Sequence, residues 1–208
     1  MASLMPCMRN SGEKMKIKVS SESLDALTYD SLAFGFFSDE RPPRGYCGLA
    51  DWRLNGLVSN LIVEGRVTGT FMEKVLISSD RRIPSPKILL IGLGESSQLT
   101  YEKLYTAGCT ILQTLSEAEC TDFAFDIPGS DRCGLEVPKM AVAMVSGVFE
   151  SGTLKRREAA SDMVVLSGRD FFDEIVLGMH EFKVGVRGKV AVDILAEAET
   201  EAVSVRTV

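Results

Sequence analysis

Three stretches carry residue types that could hold a ligand. In "GLGESS", Gly92 and Gly94 end the apolar run 87–91 and lead into a helix-like segment. Backbone N–H groups at a turn beside a helix start attract phosphate. A dinucleotide fingerprint needs a third glycine at the sixth position, where Ser97 stands, and a triphosphate loop needs Gly-Lys-Ser/Thr, which the stretch lacks. Glu95 adds a repelling charge, so a plain strand-to-helix corner outweighs a phosphate cradle, with Gly92 and Gly94 kept as candidate ligand contacts. In "SDERPPRG" (38–45), Arg41 and Arg44 flank two prolines and Gly45 closes the loop. A stiffened loop can hold guanidinium forks ready for a carboxylate or phosphate, and the same loop also reads as a salt-bridged connection at a subunit contact. In "PGSDRCG" (128–134), Ser130 and Arg132 are the polar groups that would touch a small anionic ligand; otherwise this is an ordinary exit loop.

Other chemistries are excluded by spacing. The one histidine, His180, precedes Glu181, but a zinc-peptidase helix needs a second histidine at 184, which is Val184. No Gly-x-Ser-x-Gly elbow is present for a serine nucleophile. The adjacent pairs Asp39/Glu40 and Asp173/Glu174 point in different directions and read as solvated charge. Five cysteines without Cys-x-x-Cys spacing fit neither a disulfide framework nor a zinc site and read as buried thiols. No catalytic residue, metal site or cofactor is expected.

A net charge of -6 makes nucleic acid an unlikely partner, because affinity for phosphate backbones comes from clustered Lys and Arg. The basic run 155–157 reads as a solvated loop. No apolar run approaches the ~20 residues that span a bilayer, and the opening residues lack a secretory pattern, so a cytoplasmic location is expected. Apolar content of 45% in 208 residues supports a single core. The expected organisation is a disordered tail over 1–14 and one domain over 15–208.

The elements that would position the three stretches are legible in turn. "KMKIKVS" from Lys14 alternates as a half-buried strand, while "SLAFGFF" (31–37) is apolar throughout, as in a strand buried on both faces. Leu54, Leu57, Val58, Leu61 and Ile62 recur at helical spacing, with Trp52 a turn earlier and Gly65 as the stop. Strands are expected at 73–78 and 87–92. Thr100 caps a helix striped by Leu104, Gly108, Ile111, Leu112 and Leu115, with Gly108 marking close packing. A strand at 121–128, a short helix begun by Pro138, a strand at 161–167 and a helix through Phe172, Ile175, Val176 and Met179 follow. Beyond Val184 the alternation in "KVAVDIL" and "AVSVRTV" favours strand over helix. Strands alternating with helices specify an α/β fold with a largely parallel sheet covered on both faces, whose ligands gather at strand carboxyl ends, here the loops after Phe37, Ile91 and Ile127.

"DERPPRGYCGLADWRLNGLVSNLIVEGRVTG", then "EKVLIS" and "KILLIGLGESSQLTYEKLYTAGCTILQTL", resemble the amino-terminal domain of the leucyl (cytosol) aminopeptidase family, most clearly over 24–128. The resemblance implies a macro-domain-like three-layer fold, a mostly parallel mixed sheet flanked by helices. In full-length members this domain precedes a larger two-metal catalytic domain with an Asn-Thr-Asp-Ala-Glu-Gly-Arg motif, which is not found in these 208 residues. No family catalytic or metal residue therefore carries over. The expectation is a non-catalytic relative acting in assembly or regulation, with itself or a separately encoded catalytic subunit as partner. The alternative is a module binding a nucleotide or ADP-ribose-like ligand.

Overall fold

Period-two alternation sorts the strand side chains into two cores. The computed structural model describes residues 14–120, 122–154, 162–188 and 190–198. In chain order the elements are β1 (Lys14–Ser20), β2 (Ser31–Phe36), α1 (Gly45–Arg53), α2 (Leu57–Val63), β3 (Lys74–Ser78), β4 (Lys87–Gly92) and α3 (Tyr101–Glu117). They continue with β5 (Phe123–Asp126), α4 (Val137–Leu154), β6 (Asp162–Leu166), α5 (Phe172–Gly185) and β7 (Ala191–Glu197). The sheet order is β3-β4-β2-β5-β6-β1-β7; β3 runs antiparallel to β4 and the other neighbours are parallel.

On one face, Ala33, Leu89, Ile91, Phe123, Phe125, Met163 and Val165 pack under α3, α4 and α5. On the other, Leu32, Phe34, Phe36, Ile88, Leu90, Ala124 and Val164 pack under α1 and α2. The three-layer α/β architecture is thus as the residue pattern indicates. Toward the β7 edge the second face opens: Lys16 is exposed, and Lys18 pairs with Glu22 and, at 2.8 Å, with Glu197. The strand expected in the "KVAVDIL" segment is present as β7; residues 202–208, the basic run 155–157 and all of the expected tail 1–14 except Lys14, which begins β1, lie outside the described residues.

Two helices differ from expectation. The single helix across 54–62 is broken, because Asn55 (φ 58°) and Gly56 (φ 74°) take left-handed conformations that end one helix and start another. The buried Asp51 bridges the break, accepting from the Ser59 N–H at 3.0 Å and the Ser59 hydroxyl at 2.5 Å. The upstream helix begins at Gly45, inside what reads as loop, and Trp52 on it is 71% exposed. The short helix expected after Pro138 runs 18 residues as α4. At its crossing with α3 each helix offers a glycine: a Cβ on Gly108 would lie 2.2 Å from the Met144 carbonyl, and one on Gly147 2.0 Å from that of Tyr105. This is the close approach that Gly108 indicates.

Candidate functional site

The β2–β5 ladder runs from Ser31↔Phe123 to Ala33↔Phe125, while the β5–β6 ladder continues to Asp126↔Leu166. Beyond Ala33 the Gly35 N–H donates instead to Asp126 Oδ1, at 3.1 Å. A side chain has replaced a backbone rung. Strand order also reverses about β2, with β3 and β4 on one side and β5 and β6 on the other, the position where open α/β sheets form a crevice at the strand carboxyl ends. A cleft of about 430 Å³ opens there, walled by the turns after β1, β5 and β6 and by the start of α1. Its size suits a small molecule.

The α1 wall attracts anions. The first N–H of the helix ladder is that of Gly48, donated to the Arg44 carbonyl at 3.1 Å, so the amides of Gly45, Tyr46 and Cys47 precede the ladder. No acidic residue lies in this first turn and no side chain caps it, leaving the positive end of the dipole facing the cleft. Arg44 is exposed, and its side chain makes no hydrogen bond or ion pair among the described residues.

The β5–α4 turn forms the opposite wall. Ser130 donates its hydroxyl to the Ile127 carbonyl at 3.0 Å, and Gly129 (φ 81°) leaves no room for a Cβ, which would lie 2.5 Å from Cys133 Sγ. Arg132 Nε sits 2.5 Å from Glu40 Oε1, with its guanidinium 5.8 Å from the centre of the Phe37 ring. Asp39 and Glu40 are therefore not a solvated pair: Glu40 is buried at 9% exposure, and burial raises its carboxyl pKa against the opposing pull of Arg132 and Arg44.

The floor holds Asp126, which the sequence reading passed over. It is 5% exposed, and burial pushes its pKa up to about 7 despite the Gly35 hydrogen bond and the attraction of Arg132. Oδ1 takes the Gly35 N–H, whereas Oδ2 accepts from no other described residue. The available signal was an acidic residue ending a strand, "FAFD", that is buried at every position. On α1 the buried Cys47 thiol is pushed up by desolvation and then by Asp126, so it stays neutral.

The structure brings Arg44, Gly45, Ser130 and Arg132 to the cleft and places Arg41, Gly92 and Gly94 outside it. Arg41 is engaged with the carbonyls of Glu40 (2.6 Å), Thr68 (3.3 Å) and Phe37 (3.4 Å). The amides of the glycine turn are also taken: Gly92 N–H donates to Glu73 O, Leu93 N–H to Phe36 O and Gly94 N–H to Gly69 O. "GLGESS" does hold an anion, but an internal one. Asp39 accepts from Ser96 N–H at 2.9 Å and from its hydroxyl at 2.7 Å, bonds that lower the Asp39 pKa. The stretch is a corner that pins the β2–α1 loop. His180 is exposed on α5, and no three His, Cys, Asp or Glu among the described residues converge to hold a metal ion.

Comparison with known proteins agrees with this architecture. Residues 33–153 match the cytosol aminopeptidase family, N-terminal domain. A probable cytosol aminopeptidase of Geobacter sp. (strain M21) is 25% identical over 144 residues, 69% of this chain and 29% of that protein. The chain thus spans about three tenths of that relative's length. Among solved structures, a macrodomain of Oceanobacillus iheyensis superposes with a TM-score of 0.62 at 13% identity, covering 83% of this chain and 94% of that one. A tomato leucine aminopeptidase gives 0.58 at 20% identity over 83% of this chain and 37% of its own. A Trypanosoma brucei macrodomain in complex with ADP-ribose gives 0.61 at 13% identity, covering 76% and 67% respectively. The fold is macrodomain-like.

Proposed function

Since the chain belongs to the cytosol aminopeptidase family through its N-terminal domain, we propose that it works as a binding module whose cleft takes a small anionic ligand of the nucleotide or ADP-ribose type. The observation that carries this reading is the uncapped start of α1 with the unengaged Arg44, facing a 430 Å³ cleft at the sheet's reversal point. Support comes also from the similar fold of a macrodomain whose structure contains ADP-ribose. In this reading the module is non-catalytic and its work is ligand binding. Titration calorimetry with ADP-ribose is the test: saturable binding that weakens in Arg44→Ala is expected, and no heat at millimolar ligand would overturn the proposal.

A second reading has its own observation. Leu49 and Trp52 on α1 are 53% and 71% exposed beside an open groove bordered by Pro42 and Pro43. Exposed apolar groups of this size mark contact surfaces and favour assembly, with a second copy or with a separately encoded catalytic chain. Light scattering of wild type and Trp52→Ala tests self-assembly; a monomer in both excludes the second copy.

A further inference from the structure

An anion entering the cleft meets an obstacle that the walls do not explain: a buried carboxyl on the floor, with Oδ1 held by Gly35 and Oδ2 accepting from no other described residue. Charge on that carboxyl would oppose any phosphate drawn in by Arg44 and the α1 amides. Protonated, the same group becomes a donor aimed at the ligand. Resting on the ligand class proposed above, we infer that Asp126 makes anion binding proton-linked: the ligand is received against the neutral carboxyl, Oδ2–H donates to a ligand oxygen, and binding takes up one proton from solvent.

Burial favours that state, and the charged neighbours act on it in both directions. Asp126 ends β5, where period two points it to the same side of the sheet as Ala124, toward α1. Among the charged and titratable groups, Arg132 favours the carboxylate, and the Cys47 thiol is pushed up first by burial and then by Asp126. At the rim, Glu22, Asp131 and Asp170 repel an anion while Arg44 and Arg169 attract it. Behind the wall, Glu40 is a second carboxyl with a raised pKa, separated from the ligand by its pairing with Arg132.

The resting state of Asp126 sets the size of the effect. With a free-protein value of about 7, the neutral fraction falls from roughly nine tenths at pH 6 to about 3% at pH 8.5, so the dissociation constant rises about thirty-fold over that span. ADP-ribose is the probe, because its pyrophosphate diester keeps its charge across the range, whereas a terminal phosphate loses a proton near pH 6. Asp126→Asn is the informative variant. Its amide oxygen preserves the Gly35 bond, and its NH2 replaces the protonated oxygen as a permanent donor.

The experiment measures ADP-ribose affinity of both proteins from pH 6 to 8.5, with thermal melts confirming that each is folded. The expected result is a thirty-fold loss in wild type and a flat profile in Asp126→Asn, which at pH 8.5 binds about as tightly as wild type does at pH 6. A flat wild-type profile would overturn the inference while leaving the cleft reading intact. So would an unchanged slope in the variant, which would assign the proton to Glu40. A folded Asp126→Asn that binds more weakly at every pH would mean that the carboxylate accepts from a ligand donor, again refuting proton uptake. Failure of both proteins to bind at any pH would remove the cleft reading and this inference with it.

Discussion

Without any ligand, Asp126→Asn should stabilise the protein more at pH 8 than at pH 5. Burial raises the folded carboxyl from its ordinary 3.8 to about 7, so the native state holds this proton more tightly than the unfolded chain does. For a raised value the sign follows directly. The favourable contribution is complete below about pH 4, is lost as pH climbs through 7, and is level above that. At 1.36 kcal/mol for each pH unit, the full loss is roughly 4 kcal/mol, of which about 2.5 kcal/mol falls between pH 5 and pH 8. Asparagine has no charge to desolvate and keeps the Gly35 hydrogen bond, so the variant escapes the loss. In a chain of this length 1 kcal/mol moves the melting temperature by about 2–4 °C, which predicts that the variant's advantage over wild type grows by roughly 5–10 °C from pH 5 to pH 8. Circular-dichroism melts of both proteins at the two pH values measure it. An advantage that is the same at both would refute the assignment of a buried, proton-holding carboxyl.

Other substitutions separate the cleft from its scaffold. Arg44→Ala should weaken ADP-ribose about five- to tenfold in calorimetry, while Arg41→Ala should leave affinity unchanged, since its guanidinium is occupied by three backbone carbonyls. Arg132→Ala strands the buried Glu40 carboxylate and should cost about 3 kcal/mol in urea denaturation near neutral pH. Gly147→Ala forces α3 and α4 apart against a 2.0 Å contact and should cost about 3 kcal/mol, with far-ultraviolet dichroism unchanged in the surviving native state.

Much of the scaffold is legible one residue at a time. β2, β4 and β5 announce themselves because a strand covered on both faces is apolar along most of its length, and α3 because its cap and stripe obey local rules. The Asn55-Gly56 break is less legible, since the apolar spacing from Leu54 to Ile62 suits one helix as well as two. What decides it is a left-handed pair stabilised by Asp51 reaching eight residues ahead to Ser59. The start of α1 at Gly45 is hidden for a related reason. The two prolines and Gly45 read as loop, yet the helix starts at Gly45, and Gly48 within it sits where a Cβ would lie 2.4 Å from the Pro43 carbonyl.

The sequence by itself determined the family, the α/β layering, the close glycine at Gly108 and the loops from which Arg44, Gly45, Ser130 and Arg132 reach the cleft. The layering follows from local periodicity, the family from the resemblance of whole stretches, and Gly108 from a glycine set in an apolar helix stripe. Only the tertiary structure decided which candidates face one another. It turned "GLGESS" from a prospective phosphate cradle into the seat of Asp39, 57 residues away, and paired Glu40 with Arg132. It also placed Asp126 against Gly35, 91 residues distant, where strand pairing stops. Whether a carboxylate is solvated, paired or proton-bound depends on burial and on neighbours brought together by sheet order. One-dimensional spacing carries neither.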